Sequence, residues 1–137
     1  MDKCDCPAIR IMMFPKDTNP MGIIFGGVLL SHMDVAGAIV AREHAMHCNA
    51  ERAKAENIKF VTVAMDAVEF CEPVYVGDVL SFAGEVIKKG SSSVTIKITV
   101  TAERFADMTQ NVLVTQSEAT YVGIGEDRKP VAIFEGP

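Results

Sequence analysis

No apolar run in this sequence reaches the roughly 18 residues that a membrane-spanning helix needs. There is no leader pattern either. The opening residues, Met1-Asp2-Lys3-Cys4-Asp5-Cys6-Pro7, are polar and lack a small-residue cleavage site, so no signal peptide is expected and the cytoplasm is the default location. Positive charge is in short supply: 13 Lys and Arg face 18 Asp and Glu, for a net charge of −5 and a pI near 5.1. Nucleic acid is therefore excluded as the main partner, because phosphate binding on that scale needs clustered cations. One small basic patch for a phosphate-bearing group stays compatible with the balance. Cysteine is sparse as well. Cys4 and Cys6 are two apart, Cys48 ends a polar stretch, and Cys71 falls in an expected apolar strand, a pattern that fits a reducing compartment better than a disulfide framework. Cys4-x-Cys6 with His44-x-x-His47-Cys48 does not match the usual zinc spacings, so free thiols, helix-end histidines and no metal are expected. No G-x-S-x-G elbow supports an α/β-hydrolase serine, and there is no internal repeat or low-complexity segment.

What is present is enough apolar material for a core: 49% apolar and 23% charged over 137 residues, read as one domain covering 1–137. Residues 8–14 read as a short first strand, followed by the turn-rich Pro15-Lys16-Asp17-Thr18-Asn19-Pro20-Met21-Gly22. From Ile24 to Ala45 apolar groups recur at three- and four-residue steps, which predicts a long helix. Its first half is apolar nearly all round, which points to burial. Residues 46–58 read as a frayed helix end and a loop. After residue 58 the period changes to two, predicting strands over Ile58–Phe70, Val79–Lys88, Ser93–Arg104 and Asn111–Ile124, joined by short connections, with an irregular tail from Gly125 to Pro137. A run of strands after one helix predicts an α+β fold in which one antiparallel sheet wraps one long central helix, a hotdog in outline. The edge strand of such a sheet is naturally covered by pairing two protomers.

Asp34 is the most informative single residue. It stands mid-helix among Leu30, Met33, Val35, Ala36, Ala38 and Ile39, where a carboxylate must either be desolvated or face a cleft. The residues sharing its helical face are Gly27, Ser31, Ala38 and Ala41, all small, which leaves room beside it. A structural Asp would need donors, and Ser31 is the near candidate on the helix; the residues alone leave the catalytic and the structural roles open. Gly26 and Gly27 begin the helix, where unpartnered N–H groups and the dipole's positive end suit a carbonyl oxygen gaining charge; a tight entry turn is the plain alternative. Asn19, before Pro20, either orients a water or serves the turn. In Lys88-Lys89-Gly90-Ser91-Ser92-Ser93, two cations adjoin a loop rich in donors, which suits phosphates or simply a solvated hairpin. His32 points about 200° away from Asp34 on a helix and does not form a dyad with it.

Together these pieces resemble the acyl-CoA hydrolase branch of the hotdog thioesterase family. The stretch from Pro15 to Ala38 carries the pattern N-x-x-G-x-x-F-G-G-x-L-(x)3-M-D-x-x-G. Further matches are Val61 to Phe70, Pro73-Val74-Tyr75-Val76-Gly77-Asp78, and Gly90 to Val94, so the likeness spans roughly residues 8–124. Relatives often carry His where Phe25 stands, and the segment His47–Asn57 matches no motif. The resemblance implies hydrolysis of acyl-CoA thioesters by a hotdog dimer with two sites across its interface, often grouped as a trimer of dimers. Asp34 would be the catalytic carboxylate, as general base or as nucleophile. Asn19 of the facing subunit would place the water or polarise the thioester, and the Gly27 amide, with that of Gly26, would hold the oxyanion. Lys89, Gly90, Ser91, Ser92 and Ser93 would lie along the CoA, which enters as part of the substrate, so no separate cofactor is implied. A non-catalytic acyl-CoA-binding or sensing module on the same fold is the alternative. The presence of both Asp34 and Asn19, without an expected DNA-binding segment, favours the enzyme. A hotdog dehydratase would need a histidine opposite the carboxylate, whereas His32, His44 and His47 all lie in or just after one helix.

Overall fold

The change of hydrophobic period from helical to alternating sets the architecture. A computed structural model describes residues 7–134. Its elements in chain order are β1 (Ile9–Met12), α1 (Gly26–Ala55), β2 (Lys59–Met65), β3 (Val79–Lys89), β4 (Ser93–Glu103) and β5 (Asn111–Ile124), with one 3-10 turn at Pro15–Asp17. The strands form one antiparallel sheet in the order β1-β3-β4-β5-β2. Helix α1 packs across β2, β3, β4 and β5, so the sheet wraps one central helix as the α+β hotdog reading requires.

Alternation in β4 is the clearest link from sequence to core. Val94, Ile96, Ile98, Val100 and Ala102 are buried, while Thr95, Lys97, Thr99 and Thr101 stand on the opposite face. Leu80 and Phe82 of β3 and Val114, Ala119 and Tyr121 of β5 complete the sheet's inner surface. The helix meets it with Leu29, Met33, Ala36, Gly37, Ala41 and Ala45, a stripe at three- and four-residue spacing. Each large apolar side chain so buried contributes about 1.5–3 kcal/mol. The small members of the stripe matter for distance. A methyl group on Gly37 would collide with the phenol of Tyr121, meeting Cζ at 2.6 Å and Cε1 at 2.7 Å.

The structure departs from the sequence expectations in several places. The helix does not end at Ala45 but runs to Ala55 across a break at Asn49, where φ −159° and ψ 80° leave the helical region. Asn49 Oδ1 accepts from the Arg52 amide at 3.1 Å, so this residue caps a second short segment. The polar stretch 46–58 is thus largely helical, and its Ala53 reaches the core. The first half of α1 is buried on one face rather than all round: Leu30 and Val35 are exposed. Regular pairing of β2 stops at Met65, short of Phe70. Beyond it the chain still follows β5, held by Asp66 N to Glu118 O at 2.9 Å, by Cys71 N to Val114 O at 2.7 Å, and by the Thr115 hydroxyl donating to Glu69 O at 2.6 Å. Side-chain hydroxyls replace the ladder there, and Cys71 is exposed in a bend rather than placed inside a strand. The link over 66–78 is long because it carries the chain from the β2 edge to β3, beyond β5 and β4. The tail is irregular but packed: Val131, Ile133 and Phe134 are buried, and the Phe134 amide donates to Ser91 O at 2.9 Å. Cys4, Cys6, Gly136 and Pro137 lie outside the described residues.

The corner before β3 is a polar knot. Gly77 adopts φ +90°, a conformation that glycine enters freely, and the Phe105 ring lies where a Cβ would stand. Next to it Asp78, 1% exposed, accepts from the Tyr75 amide at 2.9 Å, the Phe105 amide at 2.9 Å and Arg104 Nη1 at 2.8 Å. Arg104 also donates to Pro73 O at 2.7 Å. Asp78→Ala should therefore destabilise the chain by about 3–5 kcal/mol, because it strands two amides and takes the buried carboxylate from an Arg104 left with Pro73 O and Glu72; chemical denaturation measures this, and a loss under 1 kcal/mol would show the knot to be slack. Gly37→Ala gains about 0.5–1 kcal/mol in helix propensity. Overpacking against the rigid Tyr121 ring costs about 1–3 kcal/mol. A net fall in melting temperature is expected; a rise would mean that α1 can move off the sheet at little cost.

Candidate functional site

Asp34 is placed by α1 and met by two strands. It is half-buried. The Thr62 hydroxyl of β2 donates to its Oδ1 at 2.5 Å. The Tyr121 hydroxyl of β5 lies 2.8 Å from the Asp34 carbonyl oxygen and 3.3 Å from Oδ1, sharing its one proton between them. Among the described residues no donor reaches Oδ2, and no buried side-chain oxygen is left without a partner, so Oδ2 is the solvent-reached oxygen. Burial, and next the Asp34 carboxylate beside it, push the Tyr121 phenol far above its usual range, so it stays a neutral donor.

The donors to Asp34 thus come from the sheet and not from Ser31, whose hydroxyl donates to Gly27 O at 3.2 Å. Thr62 falls in the matched stretch Val61 to Phe70, but no motif assigned it or Tyr121 a part in the site. The available signal was in the strands: a tyrosine in an inward register between Ala119 and Gly123 must find a partner for its hydroxyl. His32 turns edge-on to Phe82 with ring centroids 5.5 Å apart, away from Asp34, as helical geometry predicts.

Gly26 and Gly27 form the first turn of α1, after an extended Phe25. A Cβ on Gly27 would lie 2.5 Å from the Phe25 ring, and one on Gly26 would lie 3.4 Å from the Phe70 ring. Their amides find no acceptor among the described residues. They are remote from Asp34 of the same chain: seven residues at about 1.5 Å rise put Gly27 about 10 Å away along the axis. Asn19 is engaged in the preceding turn, its Oδ1 accepting from Met21 N at 2.9 Å and Ile23 N at 3.3 Å, and no hydrogen bond joins it to Asp34 within the chain. The same Asn19 side chain retains an amide group with protons to donate.

The turn Lys89–Ser93 connects β3 to β4 and is anchored from below. Gly90 N donates to Ser93 O, Gly123 N to Ser92 O and Phe134 N to Ser91 O, each at 2.9 Å. Lys88 and Lys89 are exposed. Burial, and then the charge of Lys89, depress the pKa of His44, which stacks on Phe134 at 5.7 Å. The turn therefore neighbours His44, ten residues beyond Asp34 on α1. The segment 47–57, which matches no motif, walls a cleft of about 570 Å³ with Ala53, Lys54 and Asn57, opposite Val35, Ile39 and Met46. Among the described residues no cluster of three His, Cys, Asp or Glu is arranged to hold a metal ion, and no helix is long and apolar enough to cross a membrane.

A family model described as the thioesterase superfamily matches residues 21–107. The acyl-CoA thioester hydrolase YciA of Salmonella typhimurium is 36% identical over 124 residues, 89% of this chain and 85% of that protein. Two solved structures are similar throughout. The hexameric thioesterase y2039 from Yersinia pestis superposes with a TM-score of 0.81 at 37% identity, covering 95% of this chain and 96% of its own. Cj0915, a hexameric hotdog fold thioesterase of Campylobacter jejuni, superposes with a TM-score of 0.76 at 39% identity, covering 91% and 89%. With the sheet, the helix and the whole matched length in agreement, the chain belongs to the thioesterase superfamily.

Proposed function

We propose that this protein is an acyl-CoA thioesterase, hydrolysing the thioester to a free acid and CoA, with Asp34 as its catalytic carboxylate. The observation that carries this reading is the half-satisfied Asp34: Oδ1 is held by two hydroxyls while Oδ2 is open. On the general-base route Oδ2 takes a proton from water as the water oxygen attacks the thioester carbon; collapse of the tetrahedral intermediate expels the CoA thiolate. On the nucleophilic route Oδ2 itself attacks, the thiolate leaves, and water hydrolyses the mixed anhydride. Either way the carbonyl oxygen gains negative charge and needs donors at about 2.7–3.1 Å. The Gly27 amide, with that of Gly26, suits this role but is too far along its own helix to serve its own Asp34.

A complete site therefore takes Asp34 from one copy and Gly26, Gly27 and Asn19 from another. The relatives y2039 and Cj0915 are hexameric, and homo-oligomers of this chain fit that pattern. A dimer is the minimal unit and a trimer of dimers the full assembly. Support also comes from β2, an edge strand with Val61 and Val63 exposed, which a second copy would cover. Lys89, Gly90, Ser91, Ser92 and Ser93 hold the CoA phosphates. CoA arrives with the substrate, so no cofactor is invoked. The free, exposed thiols of Cys48 and Cys71 fit a cytoplasmic setting.

Release of CoA thiol from a panel of short to long acyl-CoAs tests the reading. Asp34→Ala should lose at least about 100-fold in turnover, with CoA affinity little changed. Unchanged turnover would remove Asp34 from the mechanism, and a wild type that binds every acyl-CoA but turns none over would be a sensing module instead. Lys89→Gln should raise KM several-fold with kcat unchanged, most visibly at low salt, where exposed charges interact over the longest range. Equal KM values in the two proteins at low salt would take the phosphates away from this turn.

A further inference from the structure

Tyr121 contributes nothing to the core that phenylalanine would not, except its hydroxyl. That group is fully buried, carries one proton, and has two acceptors within reach, both on Asp34: the carbonyl oxygen at 2.8 Å and Oδ1 at 3.3 Å. Around it the helix is cut back to glycine at Gly37, where any side chain would occupy the phenol's place. The helix thus forgoes propensity at that position to let the ring in.

We infer that Tyr121 is a positioning residue: with Thr62 it fixes the Asp34 carboxylate through Oδ1, which assigns the reaction to Oδ2. This inference rests on Asp34 being the catalytic carboxylate. The physical case is one of geometry. A carboxylate on a helix rotates about two bonds, and a single hydroxyl would leave it a hinge. Thr62 approaches from β2 and Tyr121 from β5, so the two donors hold Oδ1 from adjacent strands. The Tyr121 hydroxyl also grips the backbone of the same residue, which ties the carboxylate's base to the sheet. With Oδ1 engaged twice, Oδ2 is the oxygen left to accept a water proton or to attack carbon.

The groups facing Asp34 are few. Tyr121 is the titratable group in contact with it, from β5, and Thr62 of β2 is neutral. On α1 itself Ser31 spends its hydroxyl on Gly27 O and His32 turns to Phe82. From β3 and β4 the helix meets buried apolar side chains such as Phe82, Ile96 and Ile98. A change in the pH dependence of turnover on altering Tyr121 therefore reports on this contact.

The experiment compares kcat, KM and the pH–rate profile of the wild type, Tyr121→Phe and Asp34→Asn. Tyr121→Phe should lower kcat about tenfold, the equivalent of one hydrogen bond to a charged group, with KM within twofold. Its acid limb should move to higher pH, because the ionised carboxylate has lost a donor. A purely structural role would lower the melting temperature without moving that limb. If Asp34→Asn is inactive while Tyr121→Phe keeps the wild-type kcat and limb, the positioning role is overturned and the catalytic reading of Asp34 stands. If Asp34→Asn turns over normally, both fall. Should Tyr121→Phe fail to fold, 3-fluorotyrosine placed at 121 keeps the ring and strengthens the donor. The acid limb should then move to lower pH, and an unmoved limb overturns the inference.

Discussion

A carboxylate in the mostly apolar first half of the central helix is the constraint on which the site and much of the packing depend. Burying it without donors would cost several kcal/mol, and the helix itself offers none: Ser31 turns back to Gly27. The donors must come from the sheet, so two strands have to bring hydroxyls to one point on the helix. Thr62 and Tyr121 do so from β2 and β5, which are neighbours although the long link and two further strands separate them in the chain. The close approach that this demands fits the small residues Ala36 and Gly37, which face the sheet beside Asp34. In the proposed reading, catalytic geometry and helix–sheet distance are one requirement.

A second consequence concerns assembly. A helix is rigid, and seven residues of it separate the free amides of the glycine pair from Asp34, about 10 Å at 1.5 Å per residue. No bending of loops closes that gap within one chain. A thioester that needs both groups must lie between two copies, so in the proposed reading the exposed β2 edge, with Val61 and Val63 outward, belongs to the active site as much as Asp34 does.

Much of this was legible in the sequence. Strict alternation in β4 announced which side chains enter the core, and the helical stripe announced α1, because periodicity is a local property that burial leaves on the chain. Asp34 was legible for the opposite reason, as a break in an apolar pattern. What was hidden depends on long-range pairing. Thr62 and Tyr121 are 28 and 87 residues from Asp34, and nothing local marks their convergence. The stop of β2 at Met65 was hidden too, since the hydroxyls of Thr115 and Ser117 sustain the pairing where the ladder lapses. The extension of α1 past Ala45 was missed because Ala, Lys and Glu read equally as loop or solvated helix, and only the Asn49 cap resolves them.

Two aspartates, one buried and one half-buried, differ in how the structure engages their oxygens. At Asp78 both oxygens are filled: Oδ1 accepts from the Phe105 amide, Oδ2 from Arg104 and the Tyr75 amide, and solvent is excluded. Such a group has a donor on each oxygen and is shut away from solvent, so it serves to hold the corner together. At Asp34 Thr62 donates to Oδ1, Tyr121 shares its proton between Oδ1 and the backbone carbonyl, both donors are neutral, and the second oxygen is left to solvent. Satisfying Oδ2 as well would have stabilised the fold by about one further hydrogen bond, roughly 0.5–1.5 kcal/mol. A chain that ties down one carboxylate on both oxygens and the other on one has placed its stability at the first; in the proposed reading it leaves the chemistry to the second.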